Sequence, residues 1–153
     1  MDFNVRFESL QLGPSNATAP LANYVPYVRT GNLLFISGQV PIKEGKMVYQ
    51  GRLGETLSIE DGYQAARLCA INVLANVRAA CNGDLNAVVR CVRLGGFVAS
   101  ANDFYDQPKV VNGASDLMVE VFDAAGRHAR SAVAVNALPF NAAVEVEAVF
   151  ELR

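Results

Sequence analysis

The sequence predicts an α+β fold, a mixed β-sheet with two helices packed on one face. Three observations lead there. Short segments that alternate polar and apolar residues, or are rich in β-branched ones, lie near both ends of the chain between Gly, Pro and Asn. A long segment after Ser58 repeats apolar residues at the three-and-four spacing of one helix face. The order strands, helix, strand, helix, strand, strand suits a sheet covered on one side. With 153 residues the chain is expected to form one domain, 1–153, able to bury a core without disulfides or metals.

Each element follows from local signals. Gly13-Pro14-Ser15-Asn16-Ala17-Thr18-Ala19-Pro20 is loop by composition. Tyr24 to Arg29 and Leu33 to Ser37 read as strands joined by a tight turn at Thr30-Gly31-Asn32. Ser37-Gly38-Gln39-Val40-Pro41 ends the second strand, and Lys43-Glu44-Gly45-Lys46 offers a further hairpin before Met47. Ser58 is a good N-cap, with Glu60 and Asp61 suiting the helix dipole behind it. Ala66, Cys69, Ala70, Val73, Leu74, Val77 and Cys81 form its apolar face, and Asn82-Gly83 stops it. Val88 to Val98 reads as a strand in which Gly95-Gly96 marks a bulge or a close backbone approach. Pro108 to Phe122 forms the second helix, with Val111, Leu117, Met118, Val121 and Phe122 inward, although Gly113 disfavours it. Arg130 to Asn136 and Ala143 to Phe150 read as a strand pair joined around Leu138-Pro139.

Composition excludes several functions. Thirteen Lys plus Arg against fifteen Asp plus Glu give a net charge of -2. The isoelectric point lies near 5.4 and no basic stripe occurs, so nucleic acid is not an expected partner. No segment approaches the roughly 18 to 20 apolar residues of a membrane span. Met1 to Arg6 lacks the basic and apolar regions of a secretory signal, so the expected address is cytoplasmic. Hydrophobic residues make up 52% and charged residues 18%. Soluble domains average about 45–50% and about 25%, so burial against copies of the same chain is the expected remedy. Cys69, Cys81 and Cys91 lack the spacing of zinc or thiol-redox motifs. On one helix Cys69 and Cys81 would stand roughly 18 Å apart, beyond disulfide reach. They read as buried thiols.

The candidate chemistry sits on the last two strands. Val144-Glu145-Val146-Glu147-Ala148-Val149 alternates strictly, which sends Glu145 and Glu147 to one side. Arg130 shares parity with Ala132 and Ala134, and small neighbours leave room for its planar fork to take a carboxylate. A partly desolvated glutamate nearby would carry protons for water. Against this, a strand arginine facing a strand glutamate is more often a surface ion pair. In a hairpin with Asn136 opposite Ala143, Glu145 would lie about 13 Å along the strand from Arg130. Either the register differs, or a ligand bridges the two, or a neighbouring subunit completes the site. Ser37 and Ser131 lack a partner base. His128, the only histidine, reads as an exposed loop residue, and Tyr24 as a half-buried strand tyrosine.

Two segments carry a family resemblance. Tyr24 with Gly31-Asn32-Leu33-Leu34-Phe35-Ile36-Ser37-Gly38-Gln39-Val40-Pro41, and Ala129-Arg130-Ser131-Ala132-Val133 with Leu138-Pro139 and Val144-Glu145-Val146-Glu147-Ala148, resemble the RidA (YjgF/YER057c/UK114) family. The resemblance covers about Tyr24 to Glu151. It implies a chorismate-mutase-like fold, a homotrimer with ligand clefts between subunits, and hydrolysis of reactive 2-imino acids and their enamine tautomers, such as 2-aminoacrylate, to 2-keto acids and ammonia, with no cofactor. By the same resemblance Arg130 is the substrate-carboxylate arginine, Glu145 the water-activating or proton-donating glutamate, Tyr24 a pocket tyrosine, Ser37-Gly38 a strand end lining the cleft, and Asn112 a pocket asparagine. Ala132 stands where deaminase members often carry cysteine, Val25-Pro26 replaces small polar residues, residues 1–23 are an N-terminal extension, and Asn102 to Ser115 is longer. These mark a divergent branch. The alternatives are a non-catalytic trimer that binds a small carboxylate or a partner protein, and, disfavoured by charge, an endoribonuclease or translation inhibitor.

Overall fold

A computed structural model describes residues 1–15, 17, 19 and 22–153. The loop expected over Gly13 to Pro20, within the extension 1–23, thus falls partly outside the described residues, at Asn16, Thr18 and Pro20. The elements in order are α1 (Phe3–Ser9), β1 (Tyr27–Thr30), β2 (Leu33–Gln39), β3 (Ile42–Lys43), β4 (Lys46–Met47), α2 (Ile59–Ala80), β5 (Val88–Ala99), α3 (Gln107–Phe122), β6 (Ala129–Val135) and β7 (Val144–Leu152).

The local signals act as their chemistry requires. Thr30 pairs with Leu33 across Gly31-Asn32, and Gly31 takes a φ of +57°, open to glycine at little cost. The first strand starts at Tyr27 and not at Tyr24, because Pro26 has no N–H to give a ladder. At α2 the Ser58 hydroxyl accepts from the Asp61 N–H at 3.1 Å while the Asp61 carboxylate accepts from the Ser58 N–H at 3.0 Å. This reciprocal cap satisfies two of the helix's unpaired donors. In α3, Gly113 is a packing residue: a Cβ there would lie 2.0 Å from the Tyr63 carbonyl of α2, so the two helices touch backbone to backbone.

The five-stranded sheet has the order β1-β2-β7-β5-β6, and β3 and β4 form a separate hairpin. The expected hairpin between the last two strands is absent. β6 pairs parallel to β5, with Leu94 opposite Arg130 and Phe97 opposite Val133, whereas β7 lies between β2 and β5. Parallel neighbours need a long crossover, which α3 supplies. Residues 136–143 then carry the chain past β5, and the apolar face of β7 takes the central position, where it is buried.

Leu34, Ile36, Leu94, Val98, Val144, Val146, Ala148 and Phe150 are buried on the sheet face under α2 and α3. The opposite face leaves Val28 53%, Phe35 44% and Val133 45% exposed. Sequence reasoning missed α1, whose seven residues are too few for propensity to signal. It is held by tertiary contacts. Arg6 Nε donates to the Glu120 and Val121 carbonyls at 2.9 and 3.1 Å, capping the end of α3, and Phe3 packs edge-on to Phe122. No described helix is long and apolar enough to cross a membrane.

Candidate functional site

Register decides which side chains meet. Arg130 stands opposite Leu94 on β5, and Leu94 stands opposite Ala148 on β7. Directly opposed residues share a face, and Leu94 and Ala148 are buried under the helices, so Arg130 projects to the helix side. Glu145 stands opposite Phe97 and alternates with the buried Val144 and Val146, so it projects to the open side with Glu147. Arg130 and Glu145 are therefore on opposite faces, three rows or about 10 Å apart along the strands. The surface ion pair between them does not form.

On the helix side, β6 is an edge strand and Arg130 reaches α3 beyond it. Its Nη1 donates to Asn112 Oδ1 at 2.8 Å and to Ser115 Oγ at 3.1 Å. Both partners are neutral, and among the described residues no carboxylate pairs with Arg130 and its Nε and Nη2 make no hydrogen bond. One edge of the guanidinium is thus anchored and the other remains available. Its surroundings form a cavity of about 320 Å³ that also includes Asp116, Arg127 and His128.

His128 is half-buried, not an exposed loop residue. Its Nδ1 lies 2.6 Å from the Gly126 carbonyl and its Nε2 lies 2.9 Å from Ser115 Oγ. A carbonyl oxygen only accepts, so Nδ1 carries the proton and Nε2 of the neutral ring accepts from the Ser115 hydroxyl. Burial, and then the charge of Arg130, holds the imidazole below its usual pKa. Sequence reasoning missed Ser115 and His128 as site residues. The only available signal was their polarity beside Asn112 and Arg130, because the loop Asp123 to Arg127 that brings them together is set by packing.

On the open side, the pairing of β2 with β7 slips. Ile36 faces Ala148 and Gln39 faces Val146, which leaves Ser37 and Gly38 opposite Glu147 alone, a bulge. There the Glu145 carboxylate fills the space a side chain on Gly38 would take: a Cβ would lie 2.1 Å from Oε1. Gly95 makes the same allowance for Glu147, with Oε1 2.8 Å from the missing Cβ, and Gly96 admits Val111 of α3. Burial first, and the charge of Glu147 second, raises the pKa of Glu145 above the ordinary carboxylate value. Such a carboxyl is suited to exchange a proton with water. Ser37 Oγ donates to the Val25 carbonyl at 2.6 Å, tying the segment after Tyr24 to the bulge. Tyr24 itself is 54% exposed.

The structure therefore joins Arg130 with Asn112, and Glu145 with Gly38 and neighbouring Ser37, as two separate clusters on opposite faces. The buried thiols take no part: Cys69 and Cys91 are enclosed in the core, burial raises both, and Cys91 is pushed up to about 12. Among the described residues no cluster of His, Cys, Asp and Glu could hold a metal.

The one-sided α+β layer thus carries an arginine that no carboxylate pairs among the described residues and a glutamate whose pKa burial raises. Residues 5–152 match the family model described as "YjgF/chorismate_mutase-like, putative endoribonuclease", and the chain belongs to that family. Protein TCP17 of Trypanosoma cruzi is 49% identical over 138 residues, covering 90% of this chain and 86% of its own length. RutC family protein y4sK of Sinorhizobium fredii is 30% identical over 141 residues, covering 92% and 96%. Among solved structures, the protein Atu1372 of Agrobacterium tumefaciens, described as of unknown function, superposes with a TM-score of 0.89 at 45% identity, covering 99% of this chain and 94% of its own.

Proposed function

We propose that this protein hydrolyses reactive 2-imino acids and their enamine tautomers to 2-keto acids and ammonia, in clefts between the subunits of a homotrimer. The free edge of the Arg130 guanidinium carries the reading. An arginine anchored by neutral groups, with one edge unpaired, is a ready receptor for a carboxylate. Opposite-face placement supports the assembly, since only Glu145 of a neighbouring copy can approach a ligand on Arg130. The exposed Val28, Phe35 and Val133 on the open face are the apolar surface such a contact would cover.

In this scheme Arg130 orients the carboxylate and hence the adjacent C=N carbon. Water adds its oxygen to that carbon while Glu145 takes one of its protons. Glu145 returns that proton to nitrogen, giving a carbinolamine; the hydroxyl proton of the carbinolamine then passes by way of Glu145 to the same nitrogen as the C–N bond breaks, and ammonia and the keto acid separate. Orientation and proton transfer suffice, because imines hydrolyse spontaneously and a modest acceleration is enough to be useful.

The test generates the imine in situ with an amino-acid oxidase or dehydratase and follows the keto acid. The wild-type protein is expected to accelerate its appearance and Arg130→Ala to remove the acceleration. Equal inertness over several imino acids would sink the reading. Because Arg130 and Glu145 do not meet within one chain, the same free edge supports a second reading as a carboxylate binder without turnover. A ligand held by Arg130 with no acceleration would select it. The endoribonuclease of the family description finds no support in a net charge of -2.

A further inference from the structure

We propose that a small carboxylate bound on Arg130 is held together with a proton on His128, so that the pocket takes up a proton as it fills and Ser115 reverses its hydrogen bond. This rests on the reading of Arg130 as a carboxylate receptor, and it assigns His128 and Ser115 to that receptor as positioning residues.

For a neutral ring the hydrogen bonds have fixed directions. The Gly126 carbonyl accepts from Nδ1, Nε2 accepts from the Ser115 hydroxyl, and Ser115 Oγ accepts from Arg130 Nη1. With the ring neutral, the serine proton is therefore spent on the imidazole. Protonation at Nε2 turns that nitrogen into a donor. Ser115 Oγ has two lone pairs, enough for both the imidazolium and Arg130, and its own proton is released to point into the cavity. The protonated pocket thus offers a ligand the free edge of Arg130, a hydroxyl donor, and a second positive charge.

Charge decides when this happens. The charged groups that share the cavity with His128 are Arg127 and Arg130 from its own segment and Asp116 from α3, and Arg90 of β5 donates to the Arg127 carbonyl. Asp116 accepts from the Tyr63 hydroxyl at 2.7 Å, so its carboxylate is engaged with α2. Burial, and then the charge of Arg130, disfavours the imidazolium. An anion on Arg130 cancels the nearer charge and favours the imidazolium, and linkage then requires the anion to bind more tightly as pH falls through the titration of His128. A ligand that offers acceptor oxygens, such as a 2-oxo acid, gains both the charge and the released hydroxyl.

The experiment titrates His128, whose ring signal is unambiguous because the chain has one histidine. Nuclear magnetic resonance would follow it from pH 5 to 8 with and without saturating pyruvate, alongside pyruvate affinity at each pH. Pyruvate is expected to raise the His128 pKa by about one unit, which corresponds to about a tenfold gain in affinity from the top of that range to the bottom. His128→Gln should remove the gain in pyruvate affinity towards low pH, whatever affinity the variant keeps at pH 8. Arg130→Ala should abolish binding and raise the pKa of His128 in the free protein. If Arg130→Ala abolishes binding while pyruvate leaves the His128 titration unmoved and His128→Gln retains the wild-type pH profile, the inference fails and the receptor stands. If Arg130→Ala binds pyruvate like wild type, or wild type binds none, the receptor reading fails and takes the inference with it.

Discussion

The carboxylate of Glu145 occupies the space that any side chain on Gly38 would need, with Oε1 2.1 Å from where its Cβ would sit. A bulge in β2 and an outward residue of β7 thus hold a glutamate against backbone, half out of water and beside a second carboxylate.

Gly38→Ala tests that contact. The atom in the way is the far end of a flexible side chain, so folding stability should change by no more than about 1 kcal/mol. The carboxylate must move, and imine hydrolysis should drop by more than about tenfold. Thermal melts and the coupled imine assay separate the two. Unchanged activity would remove Glu145 from the mechanism.

Glu145→Gln should be more stable than wild type at pH 7. The folded-state pKa of Glu145 is raised, chiefly by burial. A raised carboxylate pKa means that ionisation costs more in the native state, so stability is lost as pH rises from the unfolded value through the folded one. The glutamine escapes that loss. Its advantage should vanish below about pH 4, where wild-type Glu145 is protonated in both states. Denaturant melts at pH 4 and 7 check the sign.

Arg130→Lys should behave nearly as Arg130→Ala. A lysine keeps the charge but loses the planar fork that serves Asn112 and Ser115 on one edge and a ligand on the other. Affinity for small carboxylates is expected to fall by about 10-fold to 100-fold, the range of a hydrogen bond to a charged group, with little change in melting temperature. Calorimetric titration reads it directly. A lysine variant with wild-type affinity would show that charge alone recognises the ligand.

Gly113→Ala should destabilise the fold by at least about 1–3 kcal/mol, because its Cβ meets the Tyr63 backbone and not a side chain that can turn aside. At this chain length each kcal/mol lowers the melting temperature by roughly 2–4 °C. A variant that melts with the wild type would mean that α2 and α3 separate readily.

Arg6→Ala tests the brace between α1 and α3. Loss of its bonds to the Glu120 and Val121 carbonyls should cost about 1–2 kcal/mol. Carboxylate binding on Arg130 should change little, since on α3 Arg6 meets only the carbonyls of Val119, Glu120 and Val121, a turn or more beyond Ser115. Weakened binding would tie the N-terminal segment to the site.

Much of this was legible in sequence, for local reasons. Ser58, Asp61 and Asn82-Gly83 mark the ends of α2 because caps are chosen by chemistry within a few residues. The inward faces of α2, α3 and β7 follow from spacing alone. Arg130 and Glu145 stand out in the sequence as candidates through their parity with small or apolar neighbours. Tyr24 was misread as a strand residue because the weight of Pro26 was underestimated. His128 was misread because its partners, Ser115 and the Gly126 carbonyl, are brought to it by a turn that no local pattern announces.

By itself the sequence determined that this is a one-sided α+β layer and where α2 begins and ends. Only the tertiary structure decided that β6 leaves β7 and pairs with β5, because pairing between strands is settled by which apolar faces are buried together and not by nearness along the chain. That one choice placed Arg130 and Glu145 on opposite faces and gathered Ser115 and His128 around the arginine. Parity along a strand is a property of the chain, whereas the face to which that parity points is a property of the sheet.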